Sequence, residues 1–529
     1  MPFVTGGQAV VDTLIAHGVD TVFGIPGTHS LPLYAALARC PIRHVTPRSE
    51  QGGGYAADGY ARSSGRPGVC IVTSGPGLTN IATPVGQAYS DSIPLLVISP
   101  GMPAEIEGGD RGYLHEMKSQ VGMMNGIASW SHRTRTHQDA VNAIDRAFRE
   151  FATSRPRPVH IEIPLDMLAE PGWVDTHKPY PGRVPAPLPD RLQAVADVLR
   201  HAESPALVFG GGARRAARQA RKLAERLGAG VVTTVNGKGV LSEDHPLSLG
   251  ASIRLQAAQA YLESADVLVA VGTELGDSDL WGACLRPRGT VVRLDIDYSQ
   301  LQKNVPAQLT LLGDAAGTLT ALLEHLPGAD SSHGSRKALL HAVRGEIQCE
   351  AKADGAEWIE LLSVLEHSLS KDAIVTGDSA MVCYYGFAHF YPQQHPSSFL
   401  YPTGFATLGF SLPAAIGAKI AEPTRQVVAL SGDGGLLFTV GEIATAVEQR
   451  LGIPIIIVNN QGYGEIRRQM VQAGMPRIGV DLANPDFADL ARAFGSHGVS
   501  TELDGLEDAL GNALDRDLPT IIELKGWTR

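Results

Sequence analysis

The feature that most constrains the fold is a regular alternation of short apolar runs with alanine-rich stretches. The apolar runs are rich in Val, Ile and Leu, as is typical of strands buried on both faces of a parallel sheet. Strands that alternate with helical stretches predict an α/β protein with parallel sheets. The clearest strand candidates are residues 69–73, 94–99, 206–210, 266–272 and 454–460.

Two polar segments interrupt this alternation and divide the chain into three blocks of similar size. Both are rich in proline, glycine or small polar residues, which is typical of connections between domains. We predict linkers at residues 171–190 and 327–345. The chain is therefore expected to form three doubly wound parallel-sheet domains, at residues 1–170, 191–326 and 346–529.

The charge of the chain limits its partners. It carries 44 Lys and Arg against 55 Asp and Glu, a net charge of −11. An acidic chain without a basic cluster is not expected to bind nucleic acid or an anionic membrane surface. No apolar run approaches the roughly 18 residues that cross a bilayer, and no basic segment with an apolar core opens the chain, so we expect a cytoplasmic protein. Its five scattered cysteines, without CxxC spacing, predict neither disulfides nor a zinc site.

Glycines and hard oxygen ligands follow two neighbouring strand candidates near the C-terminus. Residues 431–435 read Ser-Gly-Asp-Gly-Gly, and Asn459 and Asn460 end the next strand. The carboxyl ends of adjacent parallel strands are where α/β sheets bind ligands. Glycines allow backbone N–H groups to approach a phosphate, while Asp433 and an Asn carbonyl suit Mg²⁺. A backbone carbonyl at Gly462 is a candidate for the missing ligand.

On these motifs the chain resembles the thiamine-diphosphate-dependent enzymes, in the family that contains acetolactate synthase and benzoylformate decarboxylase. The resemblance covers nearly the whole chain and implies pyrimidine-binding, central Rossmann-like and diphosphate-binding domains. It also implies Mg²⁺ ligands at Asp433, Asn460 and Gly462, and a homodimer or homotetramer whose active site lies between subunits. The cofactor-binding candidates that it implies are Pro26, Gly27, Glu50, Thr73, Gly377, Asp378, Ser379, Ala406, Leu408, Gly432, Asp433, Gly434, Gly435, Asn460, Gly462, Tyr463 and Gly464.

Glu50 is the candidate for the acid that activates the cofactor. Taken alone, it is most simply a carboxylate at a helix start. By the resemblance, however, Glu50 corresponds to the one catalytic glutamate of the family's pyrimidine domain. It lies between VFGIPG at 22–27 and SGPG at 74–77, in the order that these domains show. A carboxylic acid there shares a proton with the pyrimidine ring and so promotes loss of the thiazolium proton. Leu408 falls where the family has a bulky residue that bends the cofactor, and the backbone of Ala406 would hold the pyrimidine.

The resemblance to acetolactate synthases has two departures. Their glutamine in a GDAFQE-like segment is replaced by His115, and their flavin-associated RFDD segment is replaced by residues 274–279. We therefore expect no functional FAD. The substrate site of benzoylformate decarboxylase is not retained either, since Thr28, Thr73 and Asp279 replace its polar residues.

The segments LHEMKSQ, GTELGDSD and NNQGYGEIR look most like the branch that decarboxylates 5-guanidino-2-oxopentanoate to 4-guanidinobutanal. Carboxylates at Asp277, Asp279 and Glu465 would hold a cationic substrate tail, because a guanidinium binds a carboxylate bidentately. The alternative is that the two aspartates are solvated turn residues and that Glu465 pairs with a neighbouring arginine. Thr28 and His115 complete the substrate candidates, with His115 as proton donor or as a structural residue.

Three further interpretations stay open. A small-molecule 2-oxo acid substrate also suits an acetolactate-synthase-like carboligase, which joins two such acids. A cofactor-binding regulator without turnover is the non-enzymatic alternative, although intact Glu50, Asp433 and Asn460 argue against it. The glycines at 210–212 suggest a dinucleotide site, but the match to GxGxxG fails at Arg215.

Overall fold

A computed structural model describes residues 2–175, 179–180, 182–327 and 334–527. Its three large sheets are parallel throughout, and helices pack on both faces of each. This confirms the prediction of three doubly wound α/β domains. No helix in the described ranges is both long and apolar enough to cross a membrane.

The first domain contains a six-stranded sheet and an antiparallel pair. The sheet has the order β3-β2-β4-β5-β7-β6, and β1 pairs with β8. Its strands are β1 Phe3–Thr5, β2 Thr21–Gly24, β3 Arg43–Val45, β4 Gly68–Ile71, β5 Leu95–Gly101, β6 Trp130–Arg133, β7 Val159–Pro164 and β8 Pro171–Trp173. Its helices are α1 Gly6–Ala16, α2 Leu31–Leu37, α3 Glu50–Ser64, α4 Pro76–Asn80, α5 Ala82–Asp91, α6 Gln120–Asn125, α7 His137–Thr153 and α8 Leu165–Ala169.

The central domain has a five-stranded sheet with the order β10-β9-β11-β12-β13. Its strands are β9 Pro205–Phe209, β10 Gly230–Thr233, β11 Val267–Val271, β12 Thr290–Asp295 and β13 Leu309–Leu312. Its helices are α9 Pro189–Arg200, α10 Ala217–Leu227, α11 Gln256–Ser264, α12 Asp277–Leu280 and α13 Ala315–Glu324.

The third domain has a six-stranded sheet with the order β15-β14-β16-β17-β19-β18. Its strands are β14 Ile374–Gly377, β15 Phe399–Leu400, β16 Val427–Gly432, β17 Pro454–Val458, β18 His497–Thr501 and β19 Thr520–Leu524. Its helices are α14 Gly334–Gly355, α15 Ile359–Ser368, α16 Ala388–Phe390, α17 Ser411–Ala421, α18 Asp433–Leu437, α19 Glu442–Glu448, α20 Gly464–Gln472, α21 Phe487–Ala493 and α22 Leu506–Leu514. A π-helical turn, Val382–Phe387, precedes α16.

The segments expected as linkers carry more regular structure than their composition predicted. In the first, residues 171–173 form β8, α9 begins at Pro189, and residues 176–178 and 181 lie outside the described ranges. In the second, residues 328–333 lie outside those ranges, but residues 334–345 are helical and belong to α14. Residues 334–345, which we expected to be an irregular linker, thus form the first half of a helix.

The physical reason is an apolar stripe along α14. Leu340, Val343, Ile347 and Ala351 recur at intervals of three or four residues, which places them on one helix face. All four are buried in one cluster with Leu262 of the central domain. Burial of this face stabilises the helix in spite of the polar composition around it.

Two helices that approach each other closely at glycines join the first domain to the third. A Cβ at Gly59 of α3 would lie 2.2 Å from the carbonyl oxygen of Ala414 in α17, and one at Gly417 would lie 1.8 Å from that of Ala56. Only residues without a side chain allow backbones to approach this closely. The resulting core spans both domains and fixes α3, which begins at Glu50, against the third sheet.

Candidate active site

Oxygen ligands converge at the carboxyl ends of β16 and β17. One terminal atom of the Asn460 amide lies 2.7 Å from the carbonyl oxygen of Gly462 and 3.2 Å from Asp433 Oδ1. With the amide nitrogen in this position, it donates to both oxygens. With the amide oxygen there, three oxygens face one another and suit a hard cation such as Mg²⁺. The donor set predicted from the sequence is thus brought together, and its chemistry fits the metal.

The backbone at Gly462 is shaped for this role. Its φ of +151° is in a region that favours glycine, and a Cβ there would lie 1.9 Å from the carbonyl oxygen of Val480. The Gly462 N–H donates to Asp433 Oδ2 at 2.8 Å, which orients the carboxylate. Any larger residue at Gly462 would displace the loop that presents the carbonyl oxygen.

Sequence reasoning missed a second residue that orients Asp433. The side-chain amide of Asn484 donates to Asp433 Oδ2 at 2.6 Å and to Asn459 Oδ1 at 3.1 Å. Asn459 itself donates to Glu523, so it supports the loop and is not free to bind a ligand. No signal in the sequence pointed to Asn484, because it lies in a loop 51 residues beyond Asp433.

The glycine turn after β16 is open to a close approach. Gly432 ends the strand and α18 begins at Asp433, so the first N–H groups of this short helix lack intrahelical partners. A Cβ at Gly434 would lie 2.8 Å from the Tyr463 ring, and one at Gly464 would lie 2.3 Å from Asn460 Nδ2. These glycines allow the two loops to pack together. The chemistry of this turn fits a diphosphate.

Asp378 is a buried carboxylate that organises the loops around it. Its carboxylate accepts hydrogen bonds from the Gly409 N–H at 3.1 Å, from the Ser379 N–H at 2.8 Å and from Ser431 Oγ at 3.1 Å. Burial, offset in part by these bonds, raises the pKa of Asp378 to about 6. The side chain therefore holds the loop that carries Leu408, while Gly377 ends β14 behind it.

Leu408 lies in a loop with unusual backbone conformation. Ala406 has a φ of +52° and is exposed, Leu408 is half-buried, and Gly409 has a φ of +82°. The neighbouring Thr407 hydroxyl is hydrogen-bonded to the Tyr55 hydroxyl of α3. This contact ties the Leu408 loop to the helix that begins at Glu50.

Glu50 is buried at the first position of α3, with 8% of its surface exposed. Ser49 caps the helix by accepting from the Gln51 N–H, and Glu50 Oε2 accepts from the Asn80 amide at 3.0 Å. A Cβ at Gly77 would lie 3.1 Å from Glu50 Oε1, so the glycine keeps that oxygen accessible. Glu50 Oε1 is thus left without a hydrogen-bond partner among the described residues and can face a ligand.

The loops after β2 and β4 lie side by side. A Cβ at Gly27 would lie 2.6 Å from Thr73 Oγ1, and Pro26 and Thr28 on either side of Gly27 are exposed. Thr73 Oγ1 is buried and makes no hydrogen bond to the described residues. An unsatisfied buried hydroxyl costs stability, so it is suited to a polar ligand.

His115 lies near these loops, beside Ser74. Its Nδ1 is 3.4 Å from Ser74 Oγ, and it lines a cavity of about 540 Å³ together with Lys118 and Arg133. The ring of His29 lies 5.0 Å from the His115 ring. Sequence reasoning missed His29, which had only its place after Thr28 to distinguish it.

Glu465 pairs with an arginine from its own helix. Its Oε2 lies 2.8 Å from Arg468 Nη2, and its Oε1 accepts from the Tyr385 hydroxyl at 3.4 Å. The Arg468 guanidinium also stacks on the Tyr385 ring, 4.6 Å from the centroid. The site thus holds a guanidinium between a carboxylate and an aromatic ring.

Asp277 and Asp279 are in other surroundings. Asp277 is exposed at the start of α12. Asp279 lines a cleft of about 590 Å³ where the three domains meet, together with Arg62, Arg155 and Arg214. Burial, and then the charges of Asp91 and Glu274, raise the pKa of Asp279 to about 7. Asp279 thus lines the cleft between the domains, whereas Glu465 pairs with Arg468.

Comparisons with known proteins find similar proteins over nearly the whole chain. Three family models match: the N-terminal TPP binding domain of thiamine pyrophosphate enzymes at residues 4–123, the central domain at 192–322 and the C-terminal TPP binding domain at 380–524. A Pseudomonas aeruginosa protein named "Probable 2-ketoarginine decarboxylase AruI" is 42% identical over 99% of this chain and 94% of its own length.

Acetolactate synthases are also similar over most of their length. A Methanocaldococcus jannaschii protein named "Probable acetolactate synthase large subunit" is 32% identical over 93% of this chain and 86% of its own. The Escherichia coli acetolactate synthase isozyme 1 large subunit is 30% identical over 98% of this chain and 94% of its own length.

Proposed function

Because this chain belongs to the thiamine pyrophosphate enzyme family, we propose that it is a Mg²⁺-dependent decarboxylase of a cationic 2-oxo acid. The substrate that we infer is 5-guanidino-2-oxopentanoate, and the product is 4-guanidinobutanal with CO₂. The observation that carries this proposal is the 42% identity, over nearly the whole chain, to a protein named as a 2-ketoarginine decarboxylase.

Residues of the third domain would hold the cofactor's diphosphate and metal. Asp433, Asn460 and the Gly462 carbonyl bind Mg²⁺ in this proposal, and the turn from Gly432 to Gly435 receives the phosphate oxygens. Tyr463 packs on this turn, which keeps the loop after β17 in place. When bound, thiamine diphosphate supplies the carbon nucleophile and accepts the electrons released with CO₂.

Residues of the first domain would hold the pyrimidine end. Glu50 shares a proton with a ring nitrogen, and its burial beside Asn80 supports that function. Thr73 offers its unsatisfied hydroxyl, and Pro26 and Gly27 present backbone next to it. From the third domain, Ala406 contributes backbone groups and Leu408 an apolar side chain.

We assign the substrate's guanidinium to Glu465. This carboxylate already accepts a guanidinium from Arg468, so charge and geometry suit the ligand, which would compete with that arginine. Thr28 and His115 lie in the first domain with Glu50, and we assign them to the reacting end of the substrate. Asp277 and Asp279 are not part of this assignment, because Asp279 lines the cleft between domains.

The same proposal includes at least a homodimer, with the active site between subunits. Two phenylalanines next to the Leu408 loop support it, because Phe405 is 52% exposed and Phe438 is 51% exposed. Phe438 packs against Gly409 of that loop. Exposed aromatic groups beside a site are suited to burial by a second copy.

The test is CO₂ release by the purified protein with thiamine diphosphate and Mg²⁺. Pyruvate, benzoylformate, 2-oxoisovalerate and 5-guanidino-2-oxopentanoate are compared at matched concentrations, and products are identified by mass. We expect a strong preference for the guanidino acid and an aldehyde product. Preference for a neutral acid would contradict the substrate assignment.

A carboligase is the second candidate, favoured by the acetolactate synthases that are 30 to 32% identical to this chain. Acetolactate formed from pyruvate alone would establish it, and a flavin spectrum in the purified protein would overturn our expectation that FAD is absent. A non-catalytic regulator would bind the cofactor without turnover. In that case Glu50→Gln would change no activity, whereas an enzyme should lose most of its turnover.

A further inference from the structure

One serine joins two histidines in the first domain. His29 Nδ1 lies 2.6 Å from Ser74 Oγ, and the same oxygen lies 3.4 Å from His115 Nδ1. The two imidazole rings meet edge to face, with centroids 5.0 Å apart. A hydroxyl between two imidazoles can donate to one ring and accept from the other, so the tautomer of one ring favours a proton on the facing nitrogen of the second.

His29 is the buried member of this group. It lies in the turn Thr28–Ser30 and has 5% of its surface exposed. Burial lowers the pKa of His29, and the charge of a protonated His115 lowers it further. Of the described groups that contact its ring, Tyr113 lies 6.0 Å away between centroids and Ser74 is the hydrogen-bond partner. His29 is therefore neutral at physiological pH, and one of its nitrogens is an acceptor.

The backbone around His115 is fixed. His115 has a φ of +62°, which is uncommon for a residue with a side chain. Its carbonyl oxygen is packed against Gly75, where a Cβ would lie 2.6 Å away. The Gln120 amide accepts from the Gly75 N–H and donates to the Pro100 carbonyl, both at 2.9 Å. These contacts fix the position of the loop that contains His115 relative to the loop that contains Ser74.

We propose that His29, through Ser74, is a positioning residue that keeps a proton on Nδ1 of His115. In this arrangement His29 Nδ1 accepts the Ser74 O–H, so the Ser74 oxygen presents a lone pair to the Nδ1–H of His115. A proton on His115 Nδ1 then has an acceptor, and a second proton on Nε2 would be the one that is available for transfer.

The inference rests on the proposed function, since it takes His115 as the acid that replaces CO₂ by a proton. In that step the Nε2–H bond of His115 breaks and a C–H bond forms at the substrate carbon. Neutral His115 then takes a proton from water, and the net reaction consumes one proton for each CO₂ released. Ser74 and His29 keep their own protons throughout.

The test is the pH dependence of His115 modification by diethylpyrocarbonate, read by peptide mass spectrometry on the full-length protein. Wild type, Ser74→Ala and His29→Asn are compared, with circular dichroism to confirm that each is folded. We expect the midpoint of His115 labelling to move to lower pH by about 0.5 in both variants, because the charged ring loses its acceptor. If one variant does not fold, the other decides the outcome.

Ser131→Ala is the matched control. It removes a hydrogen bond of 2.7 Å between Ser131 Oγ and His160 Nδ1 in the same domain, and it should leave the His115 midpoint unchanged. An unchanged midpoint in both test variants would overturn the inference, even with decarboxylation intact. A shifted midpoint in a protein that decarboxylates none of the four acids would uphold the coupling and reject the proposed function. In an active enzyme, we expect kcat to fall about tenfold in both test variants, with a smaller change in KM.

Discussion

Glu442 of the third domain accepts hydrogen bonds from the backbone N–H groups of Arg48 and Ser49, which directly precede Glu50, each at 3.0 Å. The carboxyl is 2% exposed, and Thr445 donates to its other oxygen at 2.7 Å. A side chain 393 residues away in sequence from Ser49 thus fixes the start of the helix that carries the candidate catalytic acid.

We expect Glu442→Ala to destabilise the protein by about 1 to 3 kcal/mol, because it leaves two backbone N–H groups without their acceptor. Thermal unfolding measures this change. Glu448→Ala is the control, since Glu448 contacts the Arg48 guanidinium in an exposed ion pair and should matter by no more than about 0.5 kcal/mol. Equal losses in the two variants would contradict the role given to Glu442.

Gly462→Ala should destroy the cation site. The added Cβ would lie 1.9 Å from the Val480 carbonyl oxygen, so the loop must move and the Gly462 carbonyl moves with it. We expect loss of Mg²⁺-dependent cofactor binding, measured by isothermal titration calorimetry. As a control, Gly511 lies in α22 with open space around the methyl group that alanine would add. The Gly511→Ala variant should bind the cofactor normally. Normal binding by Gly462→Ala would refute the assignment of this carbonyl.

Asp433→Asn should weaken Mg²⁺ binding by at least tenfold, because a neutral amide replaces the only carboxylate among the three assigned ligands. The measurement is the rise in unfolding temperature on adding Mg²⁺ with thiamine diphosphate, which reports binding to the folded state. Asp489→Asn, at an exposed position in α21, should retain the full rise. An undiminished rise in Asp433→Asn would place the metal elsewhere.

Glu465→Gln should lower kcat/KM for the guanidino acid and leave the turnover of neutral acids nearly unchanged. Loss of a charged partner for a guanidinium costs about 1.5 to 3 kcal/mol, or roughly 10- to 100-fold in kcat/KM for the guanidino acid. Pyruvate turnover should change little. Asp277→Asn is the matched exposed carboxylate and should leave the preference intact. The assignment fails if Asp277→Asn lowers kcat/KM for the guanidino acid and Glu465→Gln does not.

Asp279→Asn should make stability less dependent on pH. Because burial and nearby carboxylates raise the pKa of Asp279 to about 7, the folded state retains a proton that the unfolded chain loses near pH 4. The contribution of Asp279 to the free energy of unfolding of the wild type therefore falls as pH rises from about 4 to 7, and it is constant above pH 7. The difference in unfolding temperature, variant minus wild type, should be larger at pH 8 than at pH 5. A difference independent of pH would contradict this explanation.

Local sequence predicted the parallel sheets and the cofactor motifs well. Strand candidates at 206–210 and 454–460 agree within two residues with β9 and β17, since buried runs of branched apolar residues form strands in most surroundings. Asp433 and an Asn carbonyl were predicted as metal ligands because the carboxyl ends of neighbouring parallel strands meet at one edge, and the family resemblance then pointed to Asn460. That argument needs only the order of strands, which their spacing suggested.

Other relationships depend on packing between distant segments. Residues 334–345 have a largely polar composition, and the helix that they begin is stabilised by burial of its apolar stripe against the central domain. The carboxylates Asp279 and Glu465 have the same chemistry in the sequence, but Asp279 lines the cleft between the domains and Glu465 pairs with Arg468. Nothing in the local pattern around His29, Glu442 or Asn484 distinguishes them from ordinary surface or core residues.

The sequence by itself predicted the fold class from periodic burial. Short motifs, and the family resemblance that they carry, predicted the cofactor family and the candidate residues Glu50, Asp433 and Asn460. Only the tertiary structure decided which polar groups orient them. Glu442 reaches Ser49 and Asn484 reaches Asp433 across long loops. Such hydrogen bonds form because burial makes an unpaired polar group costly, and the partner that satisfies it is chosen by the packing of whole domains.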